Sequence, residues 1–288
     1  MTKKLIAIDL DGTTLRNDAT ISLETKQTLA IAREQGHTVM IATGRPYRMS
    51  KHFYDELQLD TPIVNFNGAY LHNPKQPNYK GYRQNIDLKT AHELFDFSQS
   101  LELNNVIAEV NDSAFILRDD ESVPQNMRDS DPRFIHFGQL TQLITNDPTA
   151  IMFSAGNEQL KLIKKQLDDA FSGIIEHRSW GKPYEYLELT KSGLNKAVAL
   201  RHAAKDLGFT MNDVIAFGDA DNDWEMLDEA GLGVAMGNAD AETKRIANTV
   251  TLSNEEHGIA QFLTEYLNLK KKAFLDKISV SSTNSSFI

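Results

Sequence analysis

The chain has 288 residues, 41% apolar and 24% charged, a balance that suits one large or two ordinary folded domains and excludes a disordered chain. It contains no cysteine, which rules out a disulfide scaffold, a thiolate metal site and a cysteine nucleophile. With 30 basic and 40 acidic side chains the formal charge is −10, and such a chain is not expected to bind nucleic acid.

Residues 5–8, Leu-Ile-Ala-Ile, form a short apolar run of the kind found in strands buried on both faces. Ser22 is suited to cap a helix carrying Leu23, Gln27, Ala30 and Ile31, which stops at Gly36. Residues 38–42 form a second buried strand. Pro46 opens a second helix bearing Met49, Phe53 and Leu57. Residues 62–66 read as a third strand, ended by Asn67-Gly68. The order βαβαβ with short connections implies a doubly wound parallel sheet with right-handed crossovers.

Between 82 and 188 the rhythm changes. Strands are predicted over 114–117, 150–153 and 184–189, and a helix over 160–171. The last strand alternates charged and apolar residues, so one of its faces is expected in solvent. A crossover unit needs only ~30 residues, so 82–188 reads as an inserted α+β domain. The first rhythm then returns: helix 194–207, strand 214–217, helix 223–230, strand 233–235, helix 241–247, strand 249–252 and helix 259–267. The expected fold is α/β. Residues 1–81 and 189–269 form a Rossmann-like core around the insertion, and 270–288 form a flexible tail rich near its end in Ser, Thr and Asn. No apolar stretch approaches the ~18–20 residues that span a bilayer. The few apolar residues between Lys4 and Asp9 are too short for a secretion signal, so a cytoplasmic protein off the membrane is expected.

Chemistry concentrates at predicted strand ends, where open α/β sheets bind ligands. Asp9 and Asp11 lie two residues apart in Asp9-Leu10-Asp11-Gly12-Thr13, so in extended backbone both carboxylates face one substrate. One can stay ionised beside a metal while the other carries a proton. In Gly218-Asp219-Ala220-Asp221-Asn222-Asp223, crowded carboxylates call for a positive partner, and oxygen ligands at a strand end suit Mg²⁺. Thr43-Gly44-Arg45, between a strand and a helix, has the makings of an anion site. Lys196, early in the helix after the insertion, can hold a phosphate and a carboxylate as a point charge, with Lys191 as its local competitor. Nucleophile, proton carrier, metal ligands, hydroxyl and cation are the parts of phosphoryl transfer.

These motifs, in this order, resemble the haloacid dehalogenase superfamily of phosphohydrolases and specifically its Cof-type branch. The likeness continues through Asn65-Phe66-Asn67-Gly68-Ala69, Met226-Leu227 and residues 231–239, and spans roughly residues 4–268. It implies that Asp9 attacks phosphorus, and that Asp11 protonates the leaving oxygen and then activates water. It implies Mg²⁺ on the Asp9 carboxylate, the Asp11 backbone carbonyl and Asp219, with Asp223 supporting the metal shell. The Leu10 backbone N–H, Thr43, Gly44, Lys196 and Asn222 would hold the phosphate. The insertion would be a C2-type cap, the substrate a small phosphorylated metabolite, and the protein a monomer or homodimer. Thr14, where the branch usually has Leu, and Glu256-His257 depart from the pattern away from the chemistry. Two other readings share these residues. One is a phosphotransferase like phosphomannomutase, which would return the phosphoryl group to a sugar. The other is a phosphate-sensing regulator phosphorylated on Asp9. Release of free phosphate from an aryl phosphate separates the first reading from both. Arg83, His177, Arg178, Trp180, Tyr184 and Tyr186 are cap residues that could face substrate.

Overall fold

The computed structural model describes residues 2–129, 131–180 and 185–270. Strands β1 (Leu5–Ile8), β2 (Thr38–Ile41), β3 (Ile63–Asn65), β4 (Tyr70–His72) and β5 (Tyr82–Arg83) come first in the chain. Next come β6 (Asn105–Val110), β7 (Ser113–Ile116), β8 (Ile135–Phe137), β9 (Ala150–Ser154), β10 (Ile175–Ser179) and β11 (Tyr186–Lys191). They are followed by β12 (Val214–Gly218), β13 (Leu232–Ala235) and β14 (Thr249–Val250).

A parallel sheet has the order β14-β13-β12-β1-β2, which puts β1 in the middle. Its side chains alternate between two layers. Ile6 and Ile8 pack with Leu29, Ile259 and Leu263 from helices Leu23–Glu34 and Gly258–Tyr266. Leu5 and Ala7 pack on the opposite face with Ala199, Leu200 and Ala203 from helix Lys196–Asp206. Helices on both faces explain why these strands are apolar without a break.

The third predicted strand behaves differently. β3 meets β2 through a single parallel bridge, Ala42 to Val64, and otherwise joins an antiparallel sheet β3-β4-β5. Phe66 and Asn67 both take left-handed backbone, φ +50° and +51°, so the chain reverses before the parallel ladder can extend.

The segment from 105 to 191 supplies a six-stranded sheet of order β10-β11-β9-β6-β7-β8, antiparallel except between β7 and β8. Val106, Ala108, Phe153, Leu187 and Leu189 face helices Leu88–Gln99 and Asn157–Phe171. On the other face, Glu109 and Glu188 are buried, which corrects the expectation of a solvated face on the last strand. That strand also runs further than its pattern suggested, to Lys191, while Tyr184 lies outside the described residues, as does the tail beyond residue 270. β6 escaped the pattern because Glu109 interrupts its apolar run.

Arg48, in helix Tyr47–Glu56, explains how Glu109 is tolerated. Its guanidinium donates to both Glu109 oxygens at 2.6 Å, with the two side chains 4% and 2% exposed. The Arg48 backbone N–H also donates to Asp112 in the β6–β7 turn, so the pair ties the six-stranded sheet to the helix beside the parallel sheet. Removing one member of a buried pair strands the other charge, which costs about 3–5 kcal/mol, whereas apolar replacement of both is close to neutral. Glu109→Ala is therefore expected to lower unfolding free energy in urea by about that amount. The double variant Arg48→Met/Glu109→Leu should recover most of the loss.

Candidate active site

Three neighbouring strands deliver the polar groups. β1 ends at Ile8 followed by Asp9, β12 at Gly218 followed by Asp219, and β2 leads to Thr43. Beyond Asp9 the chain makes one wide turn over Leu10–Thr14, closed by the Leu15 N–H donating to the Leu10 carbonyl at 2.8 Å. Gly12 sits in that turn at φ +70°, and a Cβ there would lie 2.2 Å from Oδ2 of Asp219. The space a side chain would fill is thus taken by the Asp219 carboxylate, which also accepts from the Thr13 hydroxyl at 2.7 Å.

Asp223 folds back against the end of β12. Its Oδ2 accepts from the backbone N–H groups of Asp219 and Ala220 at 3.0 and 3.3 Å. Gly218 permits this, because a Cβ there would lie 2.5 Å from the Asp223 side chain. Lys196 is the first residue of its helix, which Asn195 caps by accepting from the Val198 N–H at 2.9 Å. The Lys196 ammonium is fully buried and donates to Oδ1 of Asp9 at 2.6 Å and Oδ1 of Asp223 at 2.7 Å. Lys191, the competitor, is exposed and reaches Gln84 at 3.4 Å.

Two carboxylates thus grip one ammonium, with the Asp219 carboxylate close beside them. Burial, reinforced by Asp223 and Asp219, lifts the Asp9 carboxyl well above its ordinary range, although Lys196 opposes the rise. Burial and then Asp223 push Asp219 up to about 7. The ammonium of Lys196 is held above its usual value because Asp223 and Asp9 outweigh its own burial. Burial dominates the two carboxyl shifts and the neighbouring carboxylates add to it, while the Lys196 shift comes from its acidic partners. Oxygens of Asp9, Asp219 and Asp223 lie within 4.8 Å of one another, so the donor set fits a hard divalent cation such as Mg²⁺.

Asp11 does not join this cluster with its side chain. The carboxylate is exposed and takes a two-pronged contact from Arg45, at 2.8 Å from Nε and 2.5 Å from Nη2. Thr43 is buried, its hydroxyl accepts from the Arg45 N–H at 3.1 Å, and its own N–H donates to Val64. The Leu10 side chain is buried in the core. Asn222 donates through Nδ2 to Oδ1 of Asn67 at 2.9 Å, and Asn67 donates in turn to Glu188 at 3.0 Å. A cavity of about 420 Å³ lies over Asp9, with Asp11, Gly44, Asp219 and Asn222 in its wall.

The facing wall carries Trp180, Arg178 and Glu188, together with Asn67. Asn67 and Glu188 had no assigned part in the chemistry. Their signals were the left-handed Asn67-Gly68 pair and a lone acid between Leu187 and Leu189. Three other candidate cap residues have partners of their own. Arg83 stacks over Tyr70, His177 pairs with Asp168, and the Tyr186 hydroxyl donates to the Ser122 carbonyl.

Comparison with known proteins agrees with this geometry. The family model for haloacid dehalogenase-like hydrolases matches residues 6–263. The 5-amino-6-(5-phospho-D-ribitylamino)uracil phosphatase YitU of Bacillus subtilis is 42% identical over 267 residues, covering 92% of this chain and 98% of that protein. The pyridoxal phosphate phosphatase YbhA of Escherichia coli is 29% identical, over 93% of this chain and all 100% of its own. A crystal structure of a haloacid dehalogenase-like hydrolase from Bacteroides thetaiotaomicron superposes with a TM-score of 0.82, at 27% identity, over 92% of this chain and 100% of the other. The match runs through all three sheets and the strand ends described above, and the chain belongs to the haloacid dehalogenase-like hydrolase family.

Proposed function

We propose that this hydrolase is a Mg²⁺-dependent phosphatase that cleaves small phosphate monoesters through a phosphorylated Asp9. The observation that carries this reading is the buried Lys196 ammonium joining Asp9 to Asp223 beside Asp219. Lys196 fixes Oδ1 of Asp9, which leaves Oδ2 as the attacking atom. The Oδ2–P bond forms as the bond from phosphorus to the leaving oxygen breaks, and that oxygen takes a proton from Asp11. Water then attacks phosphorus and gives its proton to Asp11, releasing phosphate and restoring the Asp9 carboxylate. Asp11 must leave Arg45 to do this, so the Arg45 pair holds the acid–base residue aside until substrate arrives. In this reading the Leu10 N–H, Thr43, Gly44, Lys196 and Asn222 would hold the phosphoryl oxygens, and Gly44 and Asn222 already line the cavity over Asp9. Mg²⁺, held by Asp9, Asp219 and the Asp11 carbonyl with Asp223 behind, would supply neutralising charge to those oxygens.

The names of the relatives above support a phosphorylated cofactor or cofactor precursor as substrate. In this reading the core keeps residues 1–81 and 189–269, while 82–188 is the cap that excludes water and presents Trp180, Arg178 and Glu188 to the leaving group.

Asp9→Asn, whose amide is a poor nucleophile, is expected to cut kcat by at least about a thousandfold with an unchanged circular dichroism spectrum. Hydrolysis near the native rate would remove Asp9 from the reaction. Cation binding is checked without activity. Mg²⁺ at a hundredfold excess over Kd should stabilise the fold by about 2.7 kcal/mol. With Asp219 near 7 and Asp9 also raised, protons compete with the cation as pH falls. The rise in Tm should therefore be larger at pH 8 than at pH 5.5.

A further inference from the structure

The cavity over Asp9 has two ends. Near the strand ends it is lined by Asp9, Asp219 and Asn222, with the Lys196 ammonium buried behind Asp9. Its far wall presents Glu188, which is 5% exposed and sits on β11 between two core leucines. Its Oε2 accepts from the Asn67 amide at 3.0 Å and from the Trp180 indole N–H at 3.4 Å. Both donors are neutral. Arg178, its register partner on β10, sends its guanidinium instead toward Glu225 and Asp221. Among the described residues no cation lies within ion-pair distance of Glu188. Burial, only partly relieved by Trp180, Arg178 and Asn67, pushes its carboxyl up to about 7.

Glu188 also belongs to the wall of a second cavity of about 400 Å³, which shares Asn67, Arg178 and Asp221 with the first. Two spaces thus meet at one under-satisfied acceptor, with Asp221 also in the shared wall. A buried acceptor without a strong donor favours any ligand group that donates to it and disfavours a second anion.

Resting on the phosphatase reading, we infer that Glu188 is a specificity-determining residue that accepts a hydrogen bond from an N–H or O–H of the leaving group. It selects phosphate monoesters with neutral or cationic, donor-bearing leaving groups and rejects those carrying a second anionic group. The alternative is that Glu188 serves solely to orient Asn67, and through it Asn222. A positioning role would change all substrates by one factor, whereas a recognition role changes their ratio.

The test uses three aryl phosphates of similar size: 4-(aminomethyl)phenyl phosphate, 4-carboxyphenyl phosphate and 4-nitrophenyl phosphate. For Glu188→Gln, the ratio of kcat/KM for the aminomethyl to the carboxy substrate should fall about tenfold or more relative to the wild type, the scale of one charge-assisted hydrogen bond. Glu188→Asp, which keeps the charge, should retain most of the preference and guards against a folding defect in the amide. An unchanged ratio in Glu188→Gln, with all three rates lowered together, would overturn the inference and leave the phosphatase reading intact. Failure of the wild-type protein to release phosphate from 4-nitrophenyl phosphate with Mg²⁺ present would overturn the phosphatase reading, and this inference with it.

Discussion

The Lys196 ammonium is sealed from solvent between carboxylates that arrive from different parts of the chain, Asp9 from the end of β1 and Asp223 from beyond β12. A buried ammonium is tolerable only when its donors are matched by close acceptors, and removing one acceptor leaves a charge that the interior cannot solvate. The contact therefore fixes where helix Lys196–Asp206 begins, how the loop after β12 folds back, and which oxygen of Asp9 is held. Much of the site follows from it. Asp219 is brought against Gly12, and the summed negative charge exceeds what one lysine can balance. A divalent cation held by these oxygens would restore that balance.

The same economy of charge appears where the six-stranded sheet meets the parallel one. Its inward face buries Glu109 and Glu188, and the two are treated differently. Glu109 receives a full guanidinium from Arg48, which makes it a fastening. Glu188 receives an amide and an indole N–H, which leaves it with unspent accepting power at the cavity wall. Structural and recognition roles are thus divided between two glutamates of one sheet face by the strength of the donors the rest of the protein provides.

The parallel sheet was legible because its strands are buried on both faces and read as unbroken apolar runs, with their acidic loops at the ends. Asp9, Asp219, Asp223 and Lys196, picked out by spacing and by resemblance, are brought together in the structure. What stayed hidden depends on meetings between distant side chains. Arg48 is 61 residues from Glu109, and Asn67 is 121 residues from Glu188. Local alternation gave Glu188 to solvent, since nothing within its own strand announces a partner in the loop after β3. β6 was missed for the same reason, because its acid is neutralised from another element. Asp11 lines the same cavity as Asp9, and the pairing of its carboxylate with Arg45, 34 residues away, is another meeting the local sequence does not announce.

The central claim is that Asp9 carries the phosphoryl group, and it can be tested on the covalent bond itself. The Mg²⁺-loaded protein would be mixed with 4-nitrophenyl phosphate, quenched in acid during turnover and reduced with borohydride, which converts an acyl phosphate of aspartate into homoserine. Peptide mass spectrometry would then locate the change. Homoserine at residue 9, absent without substrate, is the predicted result. Steady phosphate release with no reduced residue at position 9, or with reduction at another aspartate, would contradict the account.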